Sequence, residues 1–138
     1  MYRTIFVANG SEFSKKALGR ACLLSKIDGS DVTVLYVIPR YEEMIGFFRT
    51  ESVKIALTQE AQKIINEAKK IALSHGSSIA TTIQEGHAWN KIIETANGLK
   101  NDLIVVGPYG WKGVDKAIMG STTERVIMNA SCPVLVVK

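Results

Sequence analysis

The chain has few of the residues that stabilise small secreted proteins by covalent links. It contains two cysteines in 138 residues, too few for a disulfide framework. Cys22 and Cys132 lie far apart, each in an apolar pattern and without a CxxC or Cys/His cluster. We interpret both as core thiols in a reducing compartment, although spacing alone leaves a structural disulfide open.

Long hydrophobic runs are also missing. The apolar run that follows Met1-Tyr2-Arg3 is about five residues long, shorter than the core of a signal peptide or a membrane span. We therefore expect a cytoplasmic protein that does not enter a membrane.

Basic residues are only mildly in excess: 17 Lys and Arg stand against 13 Asp and Glu, which gives a formal net charge of +4. Nucleic-acid binders usually cluster their basic residues on one face or tail. Here the basic pairs are scattered along the chain, at Lys15/Lys16, Lys69/Lys70 and Lys112/Lys116. This pattern favours a solvated, slightly basic surface over a nucleic-acid interface.

A regular alternation of strand and helix patterns is present instead. Runs of aliphatic and β-branched residues predict five strands, at residues 4–8, 32–38, 79–84, 102–106 and 132–137. Apolar residues at three- and four-residue steps predict four helices. The first helix begins near Ser11 or Ser14, either of which can cap it, and extends to residue 28. The other three cover residues 52–75, 89–96 and 121–129.

This alternation predicts an α/β fold in which residues 1–138 form one domain, with a five-stranded parallel sheet and four helices on both faces. The first and fourth strands are the most continuously apolar, and the third has the half-exposed, period-2 pattern of an edge. These features favour the spatial order 3-2-1-4-5. Ligands of such sheets bind beyond the strand ends where the chain reverses direction, between strands 1 and 4.

The loop after the fourth strand carries the most informative pattern. Gly107 and Gly110 are followed, after nine intervening residues, by Gly120-Ser121-Thr122 at the start of the last helix. Glycines admit positive φ and the close approach of a ligand, while the free N–H groups of a helix start favour a phosphate. The plain alternative is a tight strand-to-helix connection. The length of the loop and its place at the switch point favour phosphate binding.

With this loop the sequence resembles the universal stress protein family over its whole length. The segments that carry the resemblance are Asn9-Gly10-Ser11, residues 34–38, Glu85-Gly86-His87, residues 102–107 and residues 131–137. The pattern G-x2-G-x9-G-[ST] is the signature of the ATP-binding branch, and the chain satisfies every position. The resemblance implies a Rossmann-like fold of the adenine nucleotide alpha-hydrolase type and an ATP-binding regulatory role in the stress response.

The resemblance also implies a set of binding residues. In relatives that bind ATP, the glycine loop and the hydroxyl residue after it hold ribose and phosphates, and adenine lies beside the second strand. The implied nucleotide-binding residues are Asn9, Gly10, Ser11, Val37, Gly86, His87, Gly107, Gly110, Gly120, Ser121 and Thr122. Asn9 replaces the aspartate of many relatives, and an amide cannot neutralise a cation, so we assign no metal ligand here.

Motifs for fast catalysis are absent. The P-loop pattern GxxxxGK[ST] does not occur, and no HIGH-like or SGGxDS-like motif does either. His87 lies near the proposed pocket without an evident nucleophile, so we assign no catalytic residue. We expect a module regulated by bound ATP, with Mg²⁺ as a possible companion; the alternative is a slow ATPase or autophosphorylating enzyme, and nucleic-acid binding ranks lower.

The last strand predicts self-association. It is apolar from Val134 to Val137 although it lies at a predicted sheet edge, and an exposed apolar edge invites aggregation unless it is covered. The resemblance implies that this strand pairs with its copy across a two-fold axis. We therefore expect a homodimer.

Overall fold

The structure, a computed structural model, describes residues 3–9, 12–38, 51–108 and 119–138. Strands and helices alternate along these ranges, as the sequence predicts. The strands are β1 (Arg3–Ala8), β2 (Asp31–Ile38), β3 (Ile79–Glu85), β4 (Leu103–Val106) and β5 (Val134–Val136). The helices are α1 (Glu12–Asp28), α2 (Glu51–Ser74), α3 (Ala88–Gly98) and α4 (Ser121–Asn129).

The strands form one parallel sheet in the order β3-β2-β1-β4-β5, which confirms the predicted order. The central strand β1 pairs on one side with β2, where Ala8 lies opposite Tyr36. On its other side it pairs with β4, where Phe6 lies opposite Val105. Because all strands are parallel, their carboxyl ends meet at one edge of the sheet, with the switch point between β1 and β4.

Helices cover both faces of this sheet, because alternate strand residues point to opposite sides. One face packs on α1 and α2, and its largest buried members are Phe6, Leu18 and Ile65. The other face packs on α3 and α4 and includes Ile104 and Ile92. These two cores confirm the predicted placement of helices on both faces.

The last strand is shorter than predicted, at residues 134–136 rather than 132–137. Pro133 has no N–H to donate to a ladder, although its carbonyl accepts the Ile104 N–H at 3.0 Å. At the other end the Val137 N–H donates to the Val106 carbonyl at 2.9 Å. The strand is therefore anchored on β4 slightly beyond both of its ends.

The two cysteines behave as core thiols. Cys22 is fully buried, Cys132 is half-buried, and both are free, so the disulfide that the sequence left open is not formed. Burial raises the pKa of both thiols, which keeps them protonated and effectively apolar. Within the described ranges, no helix combines the length and the apolar character that crossing a membrane requires.

Candidate functional site

The candidate site lies at the carboxyl edge of the sheet, where β1 and β4 end side by side. Asn9 follows β1, and Gly107 and Pro108, both buried, follow β4. Three of the residues assigned to nucleotide binding, Gly10, Ser11 and Gly110, lie outside the described residues. The described part of the site therefore consists of the strand ends and the two ends of the glycine loop.

Two hydrogen bonds join the ends of the glycine loop. The Gly120 N–H donates to the Pro108 carbonyl at 2.8 Å, and Thr123 Oγ1 donates to the Gly107 carbonyl at 2.9 Å. Thr123 is only 6% exposed. We call residues 107–108 and 120–123 the loop mouth. These bonds hold the start of α4 directly beside the end of β4.

The first turn of α4 has backbone donors without an acceptor among the described residues. Its N-cap residue is Gly120, which has no side chain to accept a hydrogen bond. The first N–H bonded within the helix is that of Glu124, which donates to the Gly120 carbonyl at 3.0 Å. The N–H groups of Ser121, Thr122 and Thr123 therefore have no acceptor within the helix. Together with the positive end of the helix dipole they favour an anion.

The backbone conformation of Gly120 does not itself require glycine. Its φ is −61° and its ψ is 145°, an extended conformation that any residue can adopt. The idea that Gly120 supplies a positive φ is therefore wrong. The feature of glycine that remains at this position is its missing side chain.

The other side of the site is formed by the ends of β2 and β3. Val37 is 8% exposed and packs in the core beneath α3, and the Gly86 N–H donates to the Ile38 carbonyl at 3.0 Å. Gly86 has a φ of +145°, and a Cβ there would lie 3.0 Å from Cε of Lys91. Lys91 Nζ pairs with Glu94 at 3.1 Å. The positive φ favours glycine at position 86, and a larger residue there would also have to displace the Lys91 side chain slightly.

Asn9 follows β1 and His87 lies just beyond β3, so the two residues flank the end of β2. Asn9 is half-buried, and its N–H donates to Ser14 Oγ at 3.1 Å. Ser14 lies within α1, which begins at Glu12, so it is not the N-cap that the sequence suggested. His87 is exposed and is the N-cap residue of α3.

One titratable side chain beside β1 has a shifted pKa. Tyr36, next to Ala8 in the sheet, is partly buried, and burial raises the pKa of its phenol; the negative charge of Glu60 raises it further. The hydroxyl therefore stays protonated at neutral pH. In the part of the chain that the structure describes, no three His, Cys, Asp or Glu side chains come together as metal ligands would.

The described candidate residues fall into two groups at one edge of the sheet. The loop mouth brings together Gly107, Gly120, Ser121 and Thr122. The ends of β2 and β3 bring together Val37, Gly86 and His87, and Asn9 directly follows the central strand. Sequence reasoning missed Thr123 and Lys91. Thr123 carries no local signal, whereas the i,i+3 pairing of Lys91 with Glu94 was visible in the sequence.

Comparison with known proteins identifies the family. The sequence profile of the Universal stress protein family matches residues 1–138. The chain belongs to the universal stress protein family. Universal stress protein MJ0531 from Methanocaldococcus jannaschii is 36% identical over 142 aligned positions, which cover 100% of this chain and 83% of that protein.

Solved structures of universal stress proteins share the fold. The hypothetical protein MJ0577 superposes with a TM-score of 0.84 at 28% identity, covering 99% of this chain and 95% of its own. The universal stress protein from Archaeoglobus fulgidus in complex with dAMP superposes with a TM-score of 0.74 at 22% identity, covering 100% of this chain and 98% of its own. The five-stranded sheet described above is thus the fold of this universal stress protein family.

Proposed function

We propose that this universal stress protein binds ATP at the carboxyl edge of its sheet and acts as a nucleotide-dependent regulatory module in the stress response. The observation that carries the proposal is the loop mouth, where a helix without a capping side chain starts beside the end of β4. A phosphate supplies the acceptors that these N–H groups lack. The dAMP complex of the Archaeoglobus relative supports an adenine nucleotide as the ligand.

In this proposal the phosphates and ribose lie on the glycine loop. Gly107, Gly110 and Gly120 leave room for the ligand because they have no side chains. Ser121 is exposed and Thr122 is half-buried, so both hydroxyls can donate to phosphate oxygens along with the backbone N–H groups. Charge-assisted bonds of this kind are about twice as strong as neutral ones.

The base and the sugar lie toward β1 and β2. Adenine packs beside Val37, a buried apolar residue that lies opposite Gln84 near the ends of β2 and β3. In this proposal His87 forms the outer wall, and Asn9 faces the ribose. An amide such as that of Asn9 can both donate to and accept from sugar hydroxyls.

The fit of Mg²⁺ is limited to an ion carried by the nucleotide. Mg²⁺ prefers charged oxygen ligands and usually keeps several waters while it binds substrate phosphates. Asn9, at the end of β1, offers only a neutral amide oxygen. The described residues therefore fit Mg²⁺ held by ATP and water, where it would neutralise phosphate charge.

Calorimetric titration of nucleotide-free protein tests this proposal. We expect saturable binding of ATP with one site per chain, and weaker binding of adenosine because it lacks the phosphates that the loop mouth contacts. GTP serves as the control for the base and should bind more weakly than ATP. Absence of binding by ATP, ADP and AMP alike would refute the proposal, and equal affinity for GTP would refute its adenine specificity.

We predict that ATP is bound without fast turnover. The proposed site offers donors for phosphate oxygens, but we assign no general base to position water. Phosphate release from ATP should therefore stay far below the about 10 per second of a median enzyme. A release rate of several per second that disappears in Gly120→Val would contradict this prediction.

Slow hydrolysis or autophosphorylation is the second candidate function. Autophosphorylation is measured as label transferred from γ-labelled ATP to the protein.

A homodimer through β5 completes the proposal. In the described ranges β5 is an edge strand that pairs with β4, and its residues Val134–Val136 are half-buried. The preceding helix adds two exposed apolar side chains, Ile127 at 41% and Met128 at 77% exposure. An apolar edge of this kind is stabilised when a second copy covers it.

Val136→Pro is predicted to convert this dimer to a monomer. Pro133 and Val137 direct their backbone groups to β4, so by alternation Val136 directs its N–H to the open edge. Proline there removes a donor from the edge without removing one from β4. Sedimentation at micromolar concentration should show a dimer for the wild type and a monomer for the variant. A monomeric wild type, or a variant that remains dimeric, would contradict pairing through β5.

A further inference from the structure

We infer that Thr123 is a positioning residue for the nucleotide, one that fixes the loop mouth so that it offers N–H donors and no free carbonyl to the phosphates. The inference rests on the proposed function and extends it to a residue outside the glycine pattern. The Thr123 hydroxyl does not contact the ligand in this account. It acts through the carbonyl of Gly107.

The geometry places Thr123 in a buried clamp. It is the third residue of α4, and its hydroxyl donates to the Gly107 carbonyl at 2.9 Å across 16 positions of the sequence. Beside this bond, the Gly120 N–H donates to the Pro108 carbonyl at 2.8 Å. Two consecutive carbonyls at the start of the glycine loop are thus both turned toward α4 and both paired.

The chemistry of a buried carbonyl explains why this pairing matters for binding. Gly107 is buried, and a buried carbonyl requires a donor. Thr123 itself lies in the first turn of α4, so without its hydroxyl the Gly107 carbonyl would turn to the N–H groups of that turn, which the phosphate is proposed to use. The carbonyl would then compete with the phosphate for donors, and its own partial negative charge would repel the ligand.

The hydroxyl residues at the helix start therefore divide into two kinds. Ser121 is exposed and Thr122 is half-buried, so their hydroxyls are accessible to a ligand. Thr123 is 6% exposed, and its hydroxyl is already paired with Gly107. Removal of the Thr123 hydroxyl should weaken binding of the phosphates but not of the nucleoside.

The test compares ATP with adenosine in Thr123→Val, which keeps the shape of the side chain, and in Thr123→Ser, which keeps the hydroxyl. Thr4→Val is the matched control, because Thr4 is also buried, at 3% exposure, and lies at the amino end of β1. We expect Thr123→Val to weaken ATP binding about tenfold, the effect of one ordinary hydrogen bond, and to change adenosine affinity less than about twofold. Thr123→Ser and Thr4→Val should bind both ligands as the wild type does.

Other outcomes would refute either the positioning role of Thr123 alone or nucleotide binding as well. If Thr123→Val binds ATP as tightly as the wild type, or loses ATP and adenosine equally, the positioning role is refuted while nucleotide binding stands. A loss of ATP affinity of about tenfold in Thr123→Ser would also refute it. This comparison with the wild type remains available even if Thr123→Val fails to fold. If the wild type binds no adenine nucleotide, the proposed function and this inference both fail.

Discussion

Replacement of Gly120 by valine is expected to abolish ATP binding and leave the fold intact. An isopropyl group at the N-cap of α4 would occupy the approach through which phosphate reaches the N–H groups of Ser121 and Thr122. We expect ATP affinity to fall more than about 100-fold, corresponding to roughly 2.7 kcal/mol. Calorimetric titration measures this loss.

The fold should tolerate this change because Gly120 has an extended backbone, with φ of −61° and ψ of 145°. Valine is a poorer N-cap than glycine, at a cost of about 1 kcal/mol or less. Gly98→Val is the matched control, since Gly98 is the last residue of α3 and a Cβ there would meet nothing within 4 Å. It should bind ATP normally, with circular dichroism as the folding check for both variants.

Ser121→Ala, at the neighbouring position, should have a smaller effect. It deletes one hydroxyl and leaves the backbone donors, a loss of roughly 0.5 to 1.5 kcal/mol for an ordinary hydrogen bond or up to about 3 for one to a charged partner. The expected order of affinity is therefore wild type, Ser121→Ala, then Gly120→Val. If Gly120→Val binds ATP as tightly as the wild type, the glycine loop is only a connection between β4 and α4.

Phe6→Ala is expected to have the largest effect on stability. Phe6 is 1% exposed on the central strand and lines a cavity of about 20 Å³ together with Leu18 and Ile64. Truncation to alanine would enlarge this cavity in a core that cannot fully collapse around it. The expected loss is about 3 to 5 kcal/mol of the free energy of unfolding, a large part of the about 5 to 15 kcal/mol of a typical domain.

Urea denaturation measures this loss against a surface control. Ile27→Ala removes an aliphatic side chain that is 82% exposed at the end of α1, and the free energy of unfolding should change by less than about 0.5 kcal/mol. A loss of under 1 kcal/mol for Phe6→Ala would mean that the face of β1 toward α1 and α2 is loosely packed, contrary to the structure.

Hydrophobic pattern accounts for most of the fold. The strands predicted as buried, β1, β2 and β4, are the three inner strands of the sheet, and the alternating strand β3 lies at an edge. A strand with helices on both faces must be apolar throughout, whereas an edge strand tolerates polar side chains. The end of β5 was less predictable, because Pro133 interrupts the ladder inside an apolar run.

The candidate site was predictable only where its residues are adjacent in sequence. The glycines and hydroxyls of the pattern are visible because they start a helix, but Thr123 bonds to Gly107, 16 positions away. That pairing becomes visible only once the loop is closed. Ser14 was also misjudged: as a residue near a helix start it predicts a cap, whereas its oxygen accepts the N–H of Asn9, which directly follows β1.

The central claim is that ATP phosphate binds the start of α4, and amide chemical shifts of isotopically labelled protein test it most directly. Addition of ATP should shift the backbone N–H resonances of Ser121, Thr122 and Thr123, and adenosine should shift them much less while still shifting Val37 and Gly86. The account would be contradicted if saturating ATP left the three helix-start amides unchanged, or if ATP and adenosine shifted them equally.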